Sequence, residues 1–409
     1  MNSKNLFAHP VTFFFLVVPS GISTGFITVT LPYILTQNGF SVGEAATITA
    51  VALSSNLWRF LWAPIVDLTL SLHKWYLIGV SLTALSLFSI YLIPFDTEFK
   101  LLLTFVVFIS QVAASFANAP VGGFMAKTVR EEQKGRAAGW YQAGNLGGTG
   151  FGGGAGIWLA SHFSSNISLL VLSVSMLFCA FTLSYLPQVV AQKTELKKRF
   201  TLIFVDLKAL FRNKLAIYSI ALFITPVGVG AASGLWSSVA FNWEVNADNI
   251  ALIVGVFSAF ASVIGCIIGG WIADRFGRWT AYFGAGCFMA LISFIMYLAP
   301  NSPIVFNISV LVYAVSIGVA YAAFSAVVLH AIGKGMAATK YALLSSFGNI
   351  SPVYMTALNG WVYDGYGIKT MLLAETVLGI AFVIIFIGIL KNVDLRSPVS
   401  SPQVSIVNK

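Results

Sequence analysis

The feature that most constrains this chain is the end-to-end recurrence of nearly uncharged apolar runs separated by short polar loops. About 20 apolar residues in a helix span the hydrocarbon core of a bilayer. Twelve such runs fall at about 12–36, 43–70, 74–95, 100–126, 136–160, 167–187, 215–241, 249–272, 278–299, 303–332, 338–362 and 369–391. Charged residues make up 9% of the 409 positions, against about 25% in an ordinary soluble domain. That share cannot cover a water-facing surface of this size, so a soluble enzyme is excluded. A disordered chain needs the reverse balance, and an outer-membrane barrel would show short alternating segments. The fold class expected is an all-α polytopic membrane protein with twelve transmembrane helices.

The net charge of +9 is explained by position. With the N-terminus in the cytoplasm, 20 of the 23 Lys and Arg residues fall on inside segments. Lys100 and Lys369 fall outside, and Arg59 lies within a span. Such an asymmetry orients both termini to the cytoplasmic side of a bacterial-type inner membrane. The basic balance is therefore a topology signal, and no nucleic-acid partner is expected. The first run lacks a small-residue cleavage site and reads as a retained span. Cys179, Cys266 and Cys287 all lie inside spans with no Cys/His cluster, which supports neither a disulfide framework nor a metal site, and no cofactor is expected.

Residues 188–214 break the apolar pattern. Leu196, Phe200, Ile203, Leu207 and Leu210 follow helical spacing among Lys193, Lys197, Arg199, Lys208, Arg212 and Lys214. This reads as an amphipathic helix on the inner leaflet or as a soluble linker helix. It divides the chain into a six-helix bundle at 1–187, a linker at 188–214 and a second six-helix bundle at 215–409. The halves also repeat. At an offset of 204, Asn38 falls on Asn242, Glu44 on Asp248, Lys74-Trp75 on Arg278-Trp279, Gly144-Asn145 on Gly348-Asn349, and Gly156 on Gly360.

Two parallel six-span halves resemble the major facilitator transporters, which bind solute near the midplane between the halves and expose it alternately. The segment from Gly269 to Trp279, with Gly270, Asp274, Arg275, Gly277 and Arg278, resembles the facilitator loop signature GxLADRxGR. Its glycines permit close packing. Asp67 sits in the equivalent, degenerate loop of the first half. These charges read as gating residues or as an ordinary positive-inside loop. Residues 59–67 (RFLWAPIVD), 131–135 (EEQKG) and 338–361 (ATKYALLSSFGNISPVYMTALNGW) resemble the branch containing AmpG-type muropeptide permeases, acetyl-CoA transporters and some siderophore importers. Members of that branch commonly carry acids in span 4, where 111–126 here holds none.

Single residues refine the reading. Arg59, costly within a span at about 2.5–3.5 kcal/mol, attracts an anionic group, forms a gating pair, or snorkels beside Asp67. Glu375 is the one acid clearly within a span. It reads as a proton-coupling site, or as a partner of Lys369 or a neighbouring helix. The eight glycines of 144–156 read as a flexible packing face. Pro19 with Gly21, and Pro226 with Gly228, are expected to interrupt spans 1 and 7 at matching places. By the resemblance, spans 1, 4, 7 and 10 line the cavity. The stripes Ser20, Thr24, Thr28 and Gln111, Ser115, Asn118 then offer polar groups, with Trp236, Tyr313 and Tyr321 from the second half. Gln142, Asn145 and Asn349 join from spans 5 and 11. Neutral amides and aromatics with one Arg suit a bulky, polar or anionic small-molecule substrate. The expectation is a monomeric, non-enzymatic secondary transporter, a permease working as an importer and possibly a proton symporter; efflux or uncoupled facilitation are the alternatives.

Overall fold

The computed structural model describes residues 8–58, 66, 70–129, 134–187, 211, 212, 214–332 and 337–390. Among them every regular element is helical. Twelve helical stretches follow in chain order, one on each apolar run; the second is described as helix only to Trp58, where its run was expected to reach 70. α1 is Thr12–Gly25, continued by a π-helical turn Phe26–Thr30 and Leu31–Gln37. α2 is Val42–Leu53, continued as a 3-10 turn to Trp58. α3 is Leu72–Ile90, α4 Lys100–Thr128, α5 Lys134–His162 and α6 Ser165–Cys179. In the second half α7 is Lys214–Phe223, resuming at Ala231–Gly234 and Trp236–Val239. α8 begins at Ala247–Ile250, passes through a π-helical Ala251–Phe257 and ends with Ser258–Phe276. α9 is Arg278–Leu298 and α10 Pro303–Ile332. α11 and α12 run over 337–366 and 368–390, separated at Gly367, whose φ of +79° breaks the helix. Seven continuous stretches among the described residues are long and apolar enough to cross a membrane. The linker lies outside the described residues apart from Arg212, Phe211 and Lys214 at its end.

Local chemistry sets the helix starts. Ser41 and Glu44 form a reciprocal capping box at α2, while Ser71 and Ser164 cap α3 and α6 by accepting from Lys74 N and Ile167 N. Lipid tails supply no hydrophobic drive between helices, so association rests on close packing and hydrogen bonds. The glycines of α5 serve this on two sides. A Cβ at Gly144, Gly148 or Gly152 would meet α1 carbonyls of Phe14, Val18 or Ile22 at 2.2–2.7 Å. Gly150 and Gly154 instead face Gly255 and Val256 of α8. The run is thus two rigid contact faces rather than one flexible face, because both partner backbones leave no room for a side chain. Gly265 of α8 and Gly318 of α10 make the matching approach in the second half.

The two expected helix interruptions turn out differently. Pro19 sits inside a continuous α1, and Gly21 approaches the Asn145 carbonyl so closely that a Cβ would lie 2.5 Å from it. Gly21 is therefore a packing residue, and the irregularity of α1 falls later, at Phe26–Thr30. At Pro226 and Gly228 the helix does break: α7 stops at Phe223, and Gly228 and Gly230 take φ of +68° and +67°.

Candidate functional site

The break in α7 frees backbone groups at membrane depth, where each must find a partner inside the protein. The described partners come from other helices of the same half. Tyr354 Oη donates to the Ile224 carbonyl at 2.7 Å, Ser351 Oγ to Thr225 at 2.5 Å, and Tyr282 Oη to Val227 at 3.0 Å. Glu375 is 9% exposed on α12 and accepts from Tyr313 Oη of α10 and, at 2.6 Å, from Asn359 Nδ2 of α11. Lys369 is not its partner: Glu375 ties α12 to α10 and α11 instead. Trp236, just past the break, packs edge-on against Tyr313 at 5.6 Å between centroids, and its buried indole N–H has no hydrogen-bond partner.

Contacts between the two halves form two seams toward the end that carries Asp364. In the first, α2 meets α11. A Cβ on Gly360 would lie 2.5 Å from the Ala46 Cβ and 3.0 Å from the Gly43 Cα. There Asp364 Oδ2 accepts from Ser41 Oγ at 2.7 Å and from Gly43 N–H at 2.8 Å. In the second seam, α5 meets α8, with Gly154 against Gly255 and His162 Nε2 3.6 Å from Asp248 Oδ1. The segment of α7 past the break closes the gap between the seams. Trp236 lies in one buried cluster with Val29, Val42 and Ala46 of the first half.

Tyr321 of α10 is 62% accessible. Helical phase divides the surface of α5. Its exposed aromatics Trp140, Phe151 and Trp158 share one side, and its glycines take the sides toward α1 and α8. The remaining side carries Gln142, exposed, with Asn145 and Thr149 half-buried.

Other residues expected at the site take different places. Gln111 is buried and its amide donates to Ser23 Oγ at 2.8 Å, which makes it a tie between α4 and α1. Asn118 Oδ1 accepts from Tyr141 Oη at 2.7 Å, a tie between α4 and α5. Tyr141 was not singled out in the sequence; its place one residue before Gln142 was the available signal. Ser20, Thr24 and Thr28 each bond back to a carbonyl of their own helix. Trp236 and Tyr313 are 1% and 0% exposed and belong to the closed plug. Asn349 is half-buried, its amide on the Ser345 carbonyl. Of the loop motif, Gly269 packs on Val319 as expected, whereas Gly270 faces open space. Arg275 is exposed and lies over its own helix's Trp271 and Phe276 at 5.7 and 5.8 Å; Arg278 is half-buried. Arg59, Asp67 and the side chain of Asp274 lie outside the described residues. Among the described residues no group of His, Cys, Asp or Glu could hold a metal ion.

Two six-helix halves seamed at one end are the architecture of a multi-pass membrane transporter rather than an enzyme. The chain belongs to the Major Facilitator Superfamily, whose family model matches residues 13–356. It is similar to a transporter named AmpG 4 of Rickettsia conorii (strain ATCC VR-613 / Malish 7), at 22% identity covering 93% of this chain and 96% of that one. Among solved structures it is similar to the nucleoside transporter NupG, at 14% identity and a TM-score of 0.73 over 94% of this chain and 99% of that one. A POT family transporter in complex with 5-aminolevulinic acid gives 11% and 0.74, over 95% and 96%. The xylose transporter XylE from E. coli gives 13% and 0.71, over 93% and 97%. At these identities the solved structures speak to the fold alone.

Proposed function

We propose that this facilitator imports a bulky polar or anionic organic solute, of the muropeptide, siderophore or CoA-conjugate kind, across an inner membrane by alternating access. Both termini are cytoplasmic in this reading, which puts the Asp364 end outside. The observation that carries it is the neutral polar character of the accessible side chains on α5 and α10, where Gln142 and Tyr321 are exposed and Asn145 is half-buried. Such groups recognise a large solute by many neutral hydrogen bonds. Arg59, on the apolar run before Asp67, supplies the attraction for an anionic group. Asp67, Asp274, Arg275 and Arg278 gate the other end. Similarity to an AmpG-named relative and the three branch-like stretches favour import of a cell-wall or siderophore-like compound. The second reading is efflux of a drug or metabolite.

Thermal unfolding of the purified protein against anhydro-muropeptides, CoA thioesters, ferric siderophores, short peptides and common drugs tests this. A ligand at a hundred times its dissociation constant stabilises the folded state by about 2.7 kcal/mol. Stabilisation by one natural anionic class that Arg59→Ala abolishes is expected. Stabilisation by drugs alone would replace import with efflux.

A further inference from the structure

Beside the Gly154–Gly255 contact of the α5–α8 seam runs a groove of about 520 Å³, lined by Gly154, Ala155 and Trp158 of α5 and by Asp248, Leu252 and Val256 of α8. We propose that this groove binds a phospholipid whose headgroup carries a primary ammonium, such as phosphatidylethanolamine, and that the bound lipid holds the Asp364 end closed. The site is independent of which solute the protein carries.

The hydrogen bonds at the head of the groove leave a donor missing. His162 Nδ1 lies 3.1 Å from the Trp158 carbonyl, which can only accept, and 3.2 Å from Ser161 Oγ, whose own hydroxyl donates to that same carbonyl. This pattern assigns the ring proton to Nδ1. In the neutral ring Nε2 then presents a lone pair, and it sits 3.6 Å from Asp248 Oδ1, which is also an acceptor. Among the described residues no hydrogen-bond donor reaches the Asp248 carboxylate. Two acceptors, one from each half, thus face each other with no donor between them. A primary ammonium brings three N–H donors and a positive charge, and it can serve both at once. Trp158, stacked on His162 with centroids 5.0 Å apart and still 45% exposed, adds aromatic surface that favours a cation.

The rest of the groove fixes what the ammonium is attached to. Past the polar head the lining is Gly154, Ala155, Ala251, Leu252 and Val256, with no side chain that hydrogen-bonds. It adjoins large exposed apolar residues, Phe151 on α5 and Leu252, Phe260 and Ile267 on α8, a surface that acyl chains cover in a bilayer. His162 and Asp248 stand at the ends of their spans, at headgroup level, where Trp is also favoured. The carboxylate repels an anionic headgroup, and a choline has no N–H to give. Both halves build the site: Gly154 and Val256 line it and also meet across the seam, where a Cβ on Gly154 would lie 2.7 Å from Val256 Cγ2. When the seam parts, His162 leaves Asp248 and the ammonium loses one acceptor. The lipid therefore binds the closed state more tightly and shifts the equilibrium toward it.

The test titrates the full-length protein in detergent with phosphatidylethanolamine, phosphatidylcholine or phosphatidylglycerol and counts retained lipid by native mass spectrometry. One phosphatidylethanolamine is expected to bind about tenfold more tightly than either other lipid, the worth of one hydrogen bond to a charged group. Asp248→Asn is expected to remove that preference, and Ala155→Phe, which fills the apolar part of the groove, to remove the binding. Glu98→Gln, at an exposed loop acid of the same end, is expected to keep both. Equal retention of phosphatidylethanolamine and phosphatidylcholine overturns the proposal, as does a preference that survives Asp248→Asn and Ala155→Phe. Displacement of the lipid by an equal concentration of free ethanolamine overturns the lipid assignment in favour of a soluble amine. The second measurement is the distance between spin labels at Thr97→Cys and Asn301→Cys in phosphatidylcholine nanodiscs. Adding phosphatidylethanolamine is expected to raise the closed population about tenfold in the wild type and not in Asp248→Asn; a distance that ignores the lipid overturns its hold on the seam.

Discussion

Gly255→Ala probes the seam between α5 and α8 with a single methyl group. Its Cβ would lie 2.4 Å from both the Cα and the backbone N of Gly154, and 3.1 Å from the Gly153 carbonyl carbon. Ordinary carbon contacts lie at about 3.5–4.0 Å. The obstacles are backbone atoms that have no rotamer to change, so the helices must part by about 1 Å. Overpacking of this kind costs about 1–3 kcal/mol. The cost falls only on the conformation in which the seam is closed, and it corresponds to about 5–150-fold in the closed-to-open equilibrium. The distance between spin labels at Thr97→Cys and Asn301→Cys, exposed positions of the two halves at the Asp364 end, with the native cysteines replaced by Ser, should show the open population rise by a factor in that range. Gly284→Ala, whose Cβ would meet nothing within 4 Å, should leave the distribution unaltered. A Gly255→Ala protein with the wild-type distance distribution would refute the claim that this seam is backbone-on-backbone and holds the end shut.

Asp364→Asn should open the same end more gently, because one carboxylate oxygen accepts from both Ser41 and Gly43 across the other seam. At this exposed site the loss is about 1 kcal/mol, roughly fivefold in the same distance measurement. Gln142→Ala should raise the dissociation constant of the stabilising solute by about tenfold, the worth of one hydrogen bond to a charged ligand group, with the melting temperature of the free protein unchanged. Gln111→Leu should do the reverse, lowering the melting temperature by removing the tie to Ser23 while solute affinity holds.

The number of spans and the two-half plan were legible because each rests on local chemistry. Apolar length sets a span, and serine caps such as Ser41 and Ser71 set its start. The break at Pro226 and Gly228 was legible for the same reason, since proline removes a donor and glycine admits positive φ. The identical reasoning failed at Pro19. A proline is tolerated within a helix when packing holds the chain around it, and the contact of Gly21 with Asn145 is long-range. Gln111, expected on the cavity, bonds to Ser23, because nothing local to α4 distinguishes a cavity amide from an interhelical tie.

By itself the sequence determined that this chain lives in a membrane, how many times it crosses, and that it crosses in two related halves. Those properties follow from hydropathy, charge and repetition along one dimension. Only the tertiary structure decided which glycines hold the halves together, that Trp236 and Tyr313 plug one end, and that Glu375 meets Tyr313 and Asn359 across three helices. The reason is physical. In lipid, burial from water no longer tells inside from outside, so partners are chosen by shape and hydrogen bonding between residues far apart in the chain.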